Sequence, residues 1–79
     1  KNHIPQETVC REVAAQIATG ENRIIGLMLE SNLIAGRQNA ESGKELVYGQ
    51  SITDACMAWD NTENLLRELA EAVQQRRQK

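Results

Sequence analysis

The sequence predicts an α/β fold of the parallel kind, on three observations. Residues 6–19 carry an apolar stripe of helical period, residues 23–29 form an unbroken apolar run, and a capped helical pattern opens at Asp60. Two helices flanking one strand that is apolar on both faces fit a parallel sheet covered by helices or closed into a barrel.

The first helix rests on spacing. Val9, Val13 and Ile17 recur every four positions, with Cys10, Ala14 and Ala18 beside them, which gives one apolar stripe. Pro5 stands at the first turn, where a missing N–H costs nothing, and Gly20 supplies the stop. The alanines keep the stripe shallow, so whatever the helix lies on can approach closely.

The strand is RIIGLML, Arg23 to Leu29, β-branched at its start and without polar alternation. A buried helical turn is the other reading of so short a run. Gly26 in its middle marks a place where backbone or ligand comes close. Residues Glu30 to Thr53 then make a polar connection of 24 positions with Gly36, Gly43 and Gly49. Connections longer than about 12–15 residues are usually functional or disordered. Function is the expectation here, because Leu33, Ile34, Leu46, Val47 and Tyr48 offer anchors, and Glu45 to Tyr48 could pair as a short strand.

Asp60, Asn61, Thr62 and Glu63 spell a capping box for the second helix. Leu65, Leu66, Leu69, Ala70 and Val73 give it an apolar face, Glu63 and Arg67 are spaced for an i,i+4 pair, and the pattern runs to about Arg76. Trp59, just ahead of the cap, is expected as a packing anchor.

One strand cannot satisfy its own N–H and C=O groups. A chain of 79 residues also buries only about 60% of its extended surface. The sequence therefore reads as a slice of a larger parallel α/β domain whose other strands come from further polypeptide or from other copies. The absence of an initiator Met points to a trimmed or excised chain.

Composition narrows the function classes. Nine Lys+Arg against eleven Asp+Glu give a net charge of −2, with the only dense basic cluster at Arg76, Arg77 and Lys79. That cluster suits a helix C-terminus and its dipole better than a nucleic-acid footprint. No apolar stretch approaches the roughly 20 residues of a membrane span, and no signal peptide is visible. Cys10 and Cys56 lie apart without a CxxC, which suggests a reduced, intracellular setting. Cys10 belongs to the helical stripe, Cys56 is expected in core packing with lining a site beside Asp54 as the alternative, and His3 is expected at the surface and not as a ligand. Nucleotide-binding and nucleophile-elbow motifs are missing.

Chemistry in parallel α/β folds sits beyond the C-terminal ends of strands. Glu30 occupies that position directly after Leu29; the plain alternative is a charged residue that closes a strand. Asp54, in SITDAC, is the only acid between Glu45 and Asp60, and its small or apolar neighbours suggest partial burial; a turn aspartate is the alternative. Two carboxylates brought together repel, and a hard or intermediate divalent cation resolves the conflict. By itself the chain supplies at most half of a coordination shell.

The segments IIGLMLESNL, QNAESGKELVYGQSITDACMAW and TENLLRELAEAV resemble the C-terminal portion of the type I 3-deoxy-D-arabino-heptulosonate 7-phosphate (DAHP) synthases of the Phe-, Tyr- or Trp-sensitive group. The likeness spans essentially the whole chain and roughly the last quarter of the family's domain. It implies a (β/α)8 TIM barrel, with residues 1–79 as helix 7, strand 8, the long loop and helix 8, one part of a single barrel domain.

The resemblance also implies roles. Glu30 and Asp54 match family ligands of a divalent metal (Mn, Fe, Co or Zn), and Asp54 would further support catalysis by ordering water or sugar hydroxyls. The remaining ligands, a cysteine and a histidine, match nothing here: neither Cys10, Cys56 nor His3 corresponds to them. The groups that hold substrate phosphates also belong upstream; Arg37 and Lys44 could add positive potential near a phosphorylated substrate, but as isolated loop charges they are expected to be solvated. The implied reaction condenses phosphoenolpyruvate with erythrose 4-phosphate, the first step of the shikimate pathway toward aromatic amino acids. The expected setting is a cytoplasmic homo-oligomer without nucleic-acid or membrane partners, and the 79 residues alone are expected to be inactive. The alternatives are a related 3-deoxy-D-manno-octulosonate 8-phosphate synthase and a non-catalytic, self-associating structural module.

Overall fold

The computed structural model describes residues 4–41 and 43–79; His3 lies outside the described residues. In chain order the elements are α1 (Ile4–Ala18), β1 (Ser31–Asn32), β2 (Met57–Ala58) and α2 (Trp59–Arg77). The two strands pair in parallel, with Ser31 opposite Met57 and Asn32 opposite Ala58.

Helix α1 ends as its glycine requires. Gly20 adopts φ +111, its N–H donates to the Ile17 carbonyl at 3.0 Å, and the Glu21 N–H reaches back to Gln16 at 3.1 Å. This pair of bonds is a Schellman closure, which a residue with a Cβ enters at a cost. The buried stripe is Cys10, Ala14 and Ile17, whereas Val9 is 55% exposed. The wider stripe expected from the sequence is thus shifted by one position, because only the Cys10 side of the helix meets α2.

Helix α2 starts earlier than its capping box suggests. Ala58 is the N-cap and makes no side-chain cap bond, so Asp60 sits inside the first turn, where its charge still favours the positive end of the dipole. The cause is β2, which runs straight into the helix and leaves no free cap position. Thr62, Leu65 and Ala72 are the buried residues of α2, while Leu66 is 47% exposed. Trp59 is likewise 47% exposed and is not the buried anchor that its size suggests.

The helices lie side by side and run the same way. Cys10 shares a cluster with Leu65 and Met57, while Ala14 and Ile17 share one with Ala72, so contacts advance together along both chains. Arg11 bridges the pair, its Nε 3.2 Å and Nη2 3.3 Å from the two Glu68 carboxylate oxygens. The expected Glu63–Arg67 pair is present at 3.3 Å. At the far end Arg76 Nη1 donates to both the Glu21 and Ile24 carbonyls at 3.0 Å, which ties the last turn of α2 to the chain leaving α1.

The run 23–29 is neither strand nor helix. Regular strand pairing appears only just beyond it, at Ser31, because among the described residues β2 is the neighbouring strand and reaches no further back than the bond from Met57 N–H to the Glu30 carbonyl. Ile24 and Leu29 pack against the helices, yet Ile25 is 98% and Met28 81% exposed. Gly26 faces open space within the described residues and not the close contact expected of it.

The chain is extended for its length. The radius of gyration is 15.6 Å, against about 12 Å for a compact domain of this length. The accessible surface is 5804 Å², roughly 1,000 Å² more than a compact monomer of the same mass presents.

Candidate functional site

The loop between the strands is held by polar side chains and not by its apolar ones. Leu33, Ile34, Leu46, Val47 and Tyr48 are all exposed, and Glu45–Tyr48 forms no strand. Gln38 performs the anchoring instead. Its Nε2 donates to the Val47 carbonyl (2.7 Å) and the Gln50 carbonyl (2.9 Å), and its Oε1 accepts from the Val47 N–H at 2.8 Å. Gln50 Nε2 donates to the Ala35 carbonyl at 2.9 Å. Gly36 and Cys56 exchange both backbone bonds, at 2.8 and 3.1 Å. An amide can donate and accept at once, so two glutamines satisfy backbone groups on both limbs of the loop.

This scaffold carries the two candidate carboxylates. Glu30 lies immediately ahead of β1, not after a strand as its sequence position suggests, because the paired residues begin at Ser31. Asp54 stands three positions before Met57, where β2 begins. In a parallel pair with Ser31 opposite Met57, both acids therefore sit at the N-terminal end of the strands. Ser31 hydrogen-bonds Thr62 on α2, and Met57 packs into the helical core, so both point to the helices. Alternation then sends the Glu30 side chain to the other face.

Each acid is carried by a gripped stretch of backbone. The Glu30 N–H donates to Gln6 Oε1 at 2.7 Å, Gln6 Nε2 donates to the Glu30 carbonyl at 3.4 Å, and the Met57 N–H donates to the same carbonyl at 2.9 Å. Beside Asp54, Arg37 Nε donates to the Thr53 carbonyl at 2.8 Å, and the Thr53 N–H donates to Ser51 Oγ at 3.1 Å. Arg37 is thus engaged and not simply solvated, whereas Lys44 forms only an exposed pair with Glu41 at 2.9 Å.

Asp54 is exposed, contrary to the partial burial expected from its neighbours; it is Ala55 that turns inward. Among the described residues no hydrogen bond or ion pair engages either carboxylate. No group of three or more His, Cys, Asp or Glu gathers there as a metal site. Two unengaged, all-oxygen donors held on fixed backbone fit a hard or borderline divalent cation, but as part of a shell only.

The cysteines play other parts. Cys10 is 1% exposed in the core, and burial, with help from Glu68, pushes its thiol above the usual range against the opposing effect of Arg11. Cys56 is half-buried and unpaired, its Sγ 3.5 Å from the Asp54 carbonyl. Sequence reasoning missed Gln6, Gln38 and Arg37 as organisers of the site. No local pattern marks a glutamine whose partners lie nine or 24 positions away. Among the described residues no helix is long and apolar enough to cross a membrane.

Residues 1–67 match the DAHP synthetase I family. The chain is 57% identical over 72 residues to the Phe-sensitive phospho-2-dehydro-3-deoxyheptonate aldolase of Escherichia coli K12, covering 91% of this chain and 21% of that protein. It is 49% identical over 77 residues to the phospho-2-dehydro-3-deoxyheptonate aldolase of Haemophilus influenzae, covering 98% of this chain and 21% of the relative. The solved structure of the phospho-2-dehydro-3-deoxyheptonate aldolase from Francisella tularensis superposes with a TM-score of 0.86 at 43% identity, over 95% of this chain and 21% of that one. The chain thus spans about a fifth of the length of the curated relatives it matches, and over that span it belongs to the DAHP synthetase I family.

Proposed function

We propose that this chain is the C-terminal slice of a (β/α)8 barrel and supplies two of the metal ligands, Glu30 and Asp54, of a DAHP synthase. The observation that supports the reading is the pair of side-by-side helices and, beside them, two exposed carboxylates that no hydrogen bond or ion pair engages among the described residues. The paired residues 31–32 and 57–58 lie past both acids, so the barrel strand whose C-terminal end carries Glu30 is the run 23–29, which pairs with strands from the rest of the protein.

The whole protein condenses phosphoenolpyruvate with erythrose 4-phosphate. A bound divalent cation (Mn, Fe, Co or Zn) supplies Lewis-acid polarisation of the aldehyde carbonyl. Glu30 and Asp54 would hold the cation, each through carboxylate oxygens. Asp54, on its exposed turn, would also accept hydrogen bonds from water or sugar hydroxyls near the reacting carbon. The cysteine and histidine that complete the shell, and the cationic groups that bind phosphate, lie in the rest of the protein. The excess surface of the slice is where the rest of the barrel packs, and the intact protein works as a homo-oligomer in the cytoplasm.

The test uses the full-length protein. Glu30→Gln and Asp54→Asn are expected to lower both Mn2+ affinity and turnover by at least tenfold. Product analysis with erythrose 4-phosphate or arabinose 5-phosphate as acceptor separates a DAHP synthase from its octulosonate relative. Unchanged Mn2+ affinity in both variants overturns the site.

A further inference from the structure

Gln6 is the one side chain outside the loop that grips the backbone of a candidate ligand. It stands in the first turns of α1, 24 positions from Glu30, and its primary amide meets both polar atoms of the Glu30 backbone: Oε1 takes the N–H at 2.7 Å, and Nε2 approaches the carbonyl at 3.4 Å. The carbonyl also receives the Met57 N–H at 2.9 Å, so Glu30 is fixed from helix α1 and from β2 together. A primary amide is the side chain that offers donor and acceptor side by side in this way.

The fixation matters because of where Glu30 lies. The preceding run, 23–29, has no strand pairing, and Ile25 and Met28 are open to solvent. With no hydrogen-bond ladder behind it and only the packing of Leu29 to hold it from that side, the orientation of residue 30 depends chiefly on the bonds at its own peptide. A metal ligand tolerates little positional slack, and partners that orient ligands are typically worth 10–100-fold in metal affinity.

We propose that Gln6 is a positioning residue for the metal centre: it aims the Glu30 carboxylate by clamping the Glu30 backbone, and it touches neither metal nor substrate. The proposal rests on the reading of Glu30 as a ligand. It differs from a general stabilising role because, among the described residues, both hydrogen bonds of the side chain go to the Glu30 backbone.

The experiment is Mn2+ titration of the full-length apoprotein by calorimetry, with Gln6→Leu, Gln6→Glu and Glu30→Gln beside the parent. Gln6→Leu removes both bonds at similar size and is expected to weaken Mn2+ binding about tenfold or more. Gln6→Glu keeps the 2.7 Å acceptor and is expected to recover most of that loss. If Gln6→Leu does not fold, Gln6→Glu against Gln6→Ala gives the same comparison. Mn2+ affinity unchanged in the Gln6 variants, with a lowered melting temperature alone, overturns the clamp while Glu30→Gln still weakens binding. Unchanged affinity in Glu30→Gln as well overturns the ligand reading and the clamp with it.

Discussion

Arg37 donates from Nε to the carbonyl of Thr53 at 2.8 Å and so holds the chain one residue before Asp54. Its Nη2 also donates to Asn39 Oδ1 at 3.0 Å, which spreads the guanidinium across both limbs of the loop. Arg37→Met removes both bonds. Because the residue is exposed, the stability cost is expected to be small, about 1 kcal/mol. Amide exchange over residues 50–56 is expected to quicken by severalfold, and Arg37→Lys, which keeps a single donor, to fall between. Identical exchange in all three proteins contradicts the role.

Gly49 has a steric reason to be glycine that Gly43 lacks. Both adopt positive φ, +83 and +81, but a Cβ at Gly49 falls 2.8 Å from the Leu33 Cβ, whereas one at Gly43 meets nothing within 4 Å. Alanine at Gly43 therefore incurs backbone strain alone, about 1 kcal/mol, while alanine at Gly49 adds a clash and is expected to cost about 2–3 kcal/mol. Chemical denaturation of the two variants gives the order directly.

The face of α2 is tested by Leu65→Ala and Leu66→Ala. Leu65 is fully buried beside Cys10 and Met57, so its truncation is expected to cost about 2–5 kcal/mol, enough to unfold a marginal chain. Leu66, at 47% exposure, is expected to cost less than about 1 kcal/mol. Equal losses in melting experiments on the full-length protein reveal that further structure covers Leu66.

These adjacent leucines show how far the sequence can be read. Periodicity finds the helix and its i,i+4 pair, but not which edge of a broad apolar stripe meets a partner. That choice depends on α1, and the match of Cys10 to Leu65 is written nowhere locally. The strand is legible as an apolar run but not in its pairing, since pairing is decided by neighbours and, among the described residues, the partner strand begins at Met57. The same cause moves Glu30 from behind a strand to its front. Asp54 was legible as an acid at a special place, yet its exposure was not: small neighbours suggested burial, and the loop directs Ala55 inward instead. The clamps of Gln6, Gln38 and Arg37 join residues distant in sequence and leave no period to detect.

Cys10 and Cys56 are expected to differ in reactivity. Burial raises the Cys10 thiol above its ordinary range, so it stays protonated where an exposed thiol has ionised. Thiol titration at pH 8 is expected to label Cys56 first and Cys10 only on unfolding. The linkage has a definite sign. With the folded value raised, the stabilising contribution is complete below the ordinary thiol value of about 8.5 and fades as pH climbs through the folded one. Fast labelling of Cys10 in the native protein contradicts its place in the core.

Ile25 and Met28 lead to opposite outcomes in two settings. They are 98% and 81% exposed in this chain, beside a run with no strand pairing, and they account for part of the excess surface. In the 79-residue chain alone, Ile25→Lys with Met28→Lys replaces exposed apolar surface by charge at two residues outside both core clusters. Sedimentation is expected to show less self-association, with helical circular dichroism unchanged. If, as proposed, the full-length protein completes a sheet around the run 23–29, each buried charge is expected to cost several kcal/mol and abolish folding there. If both substitutions are harmless there, the run 23–29 is a true surface, the barrel does not close over it, and the slice must be completed on a different side.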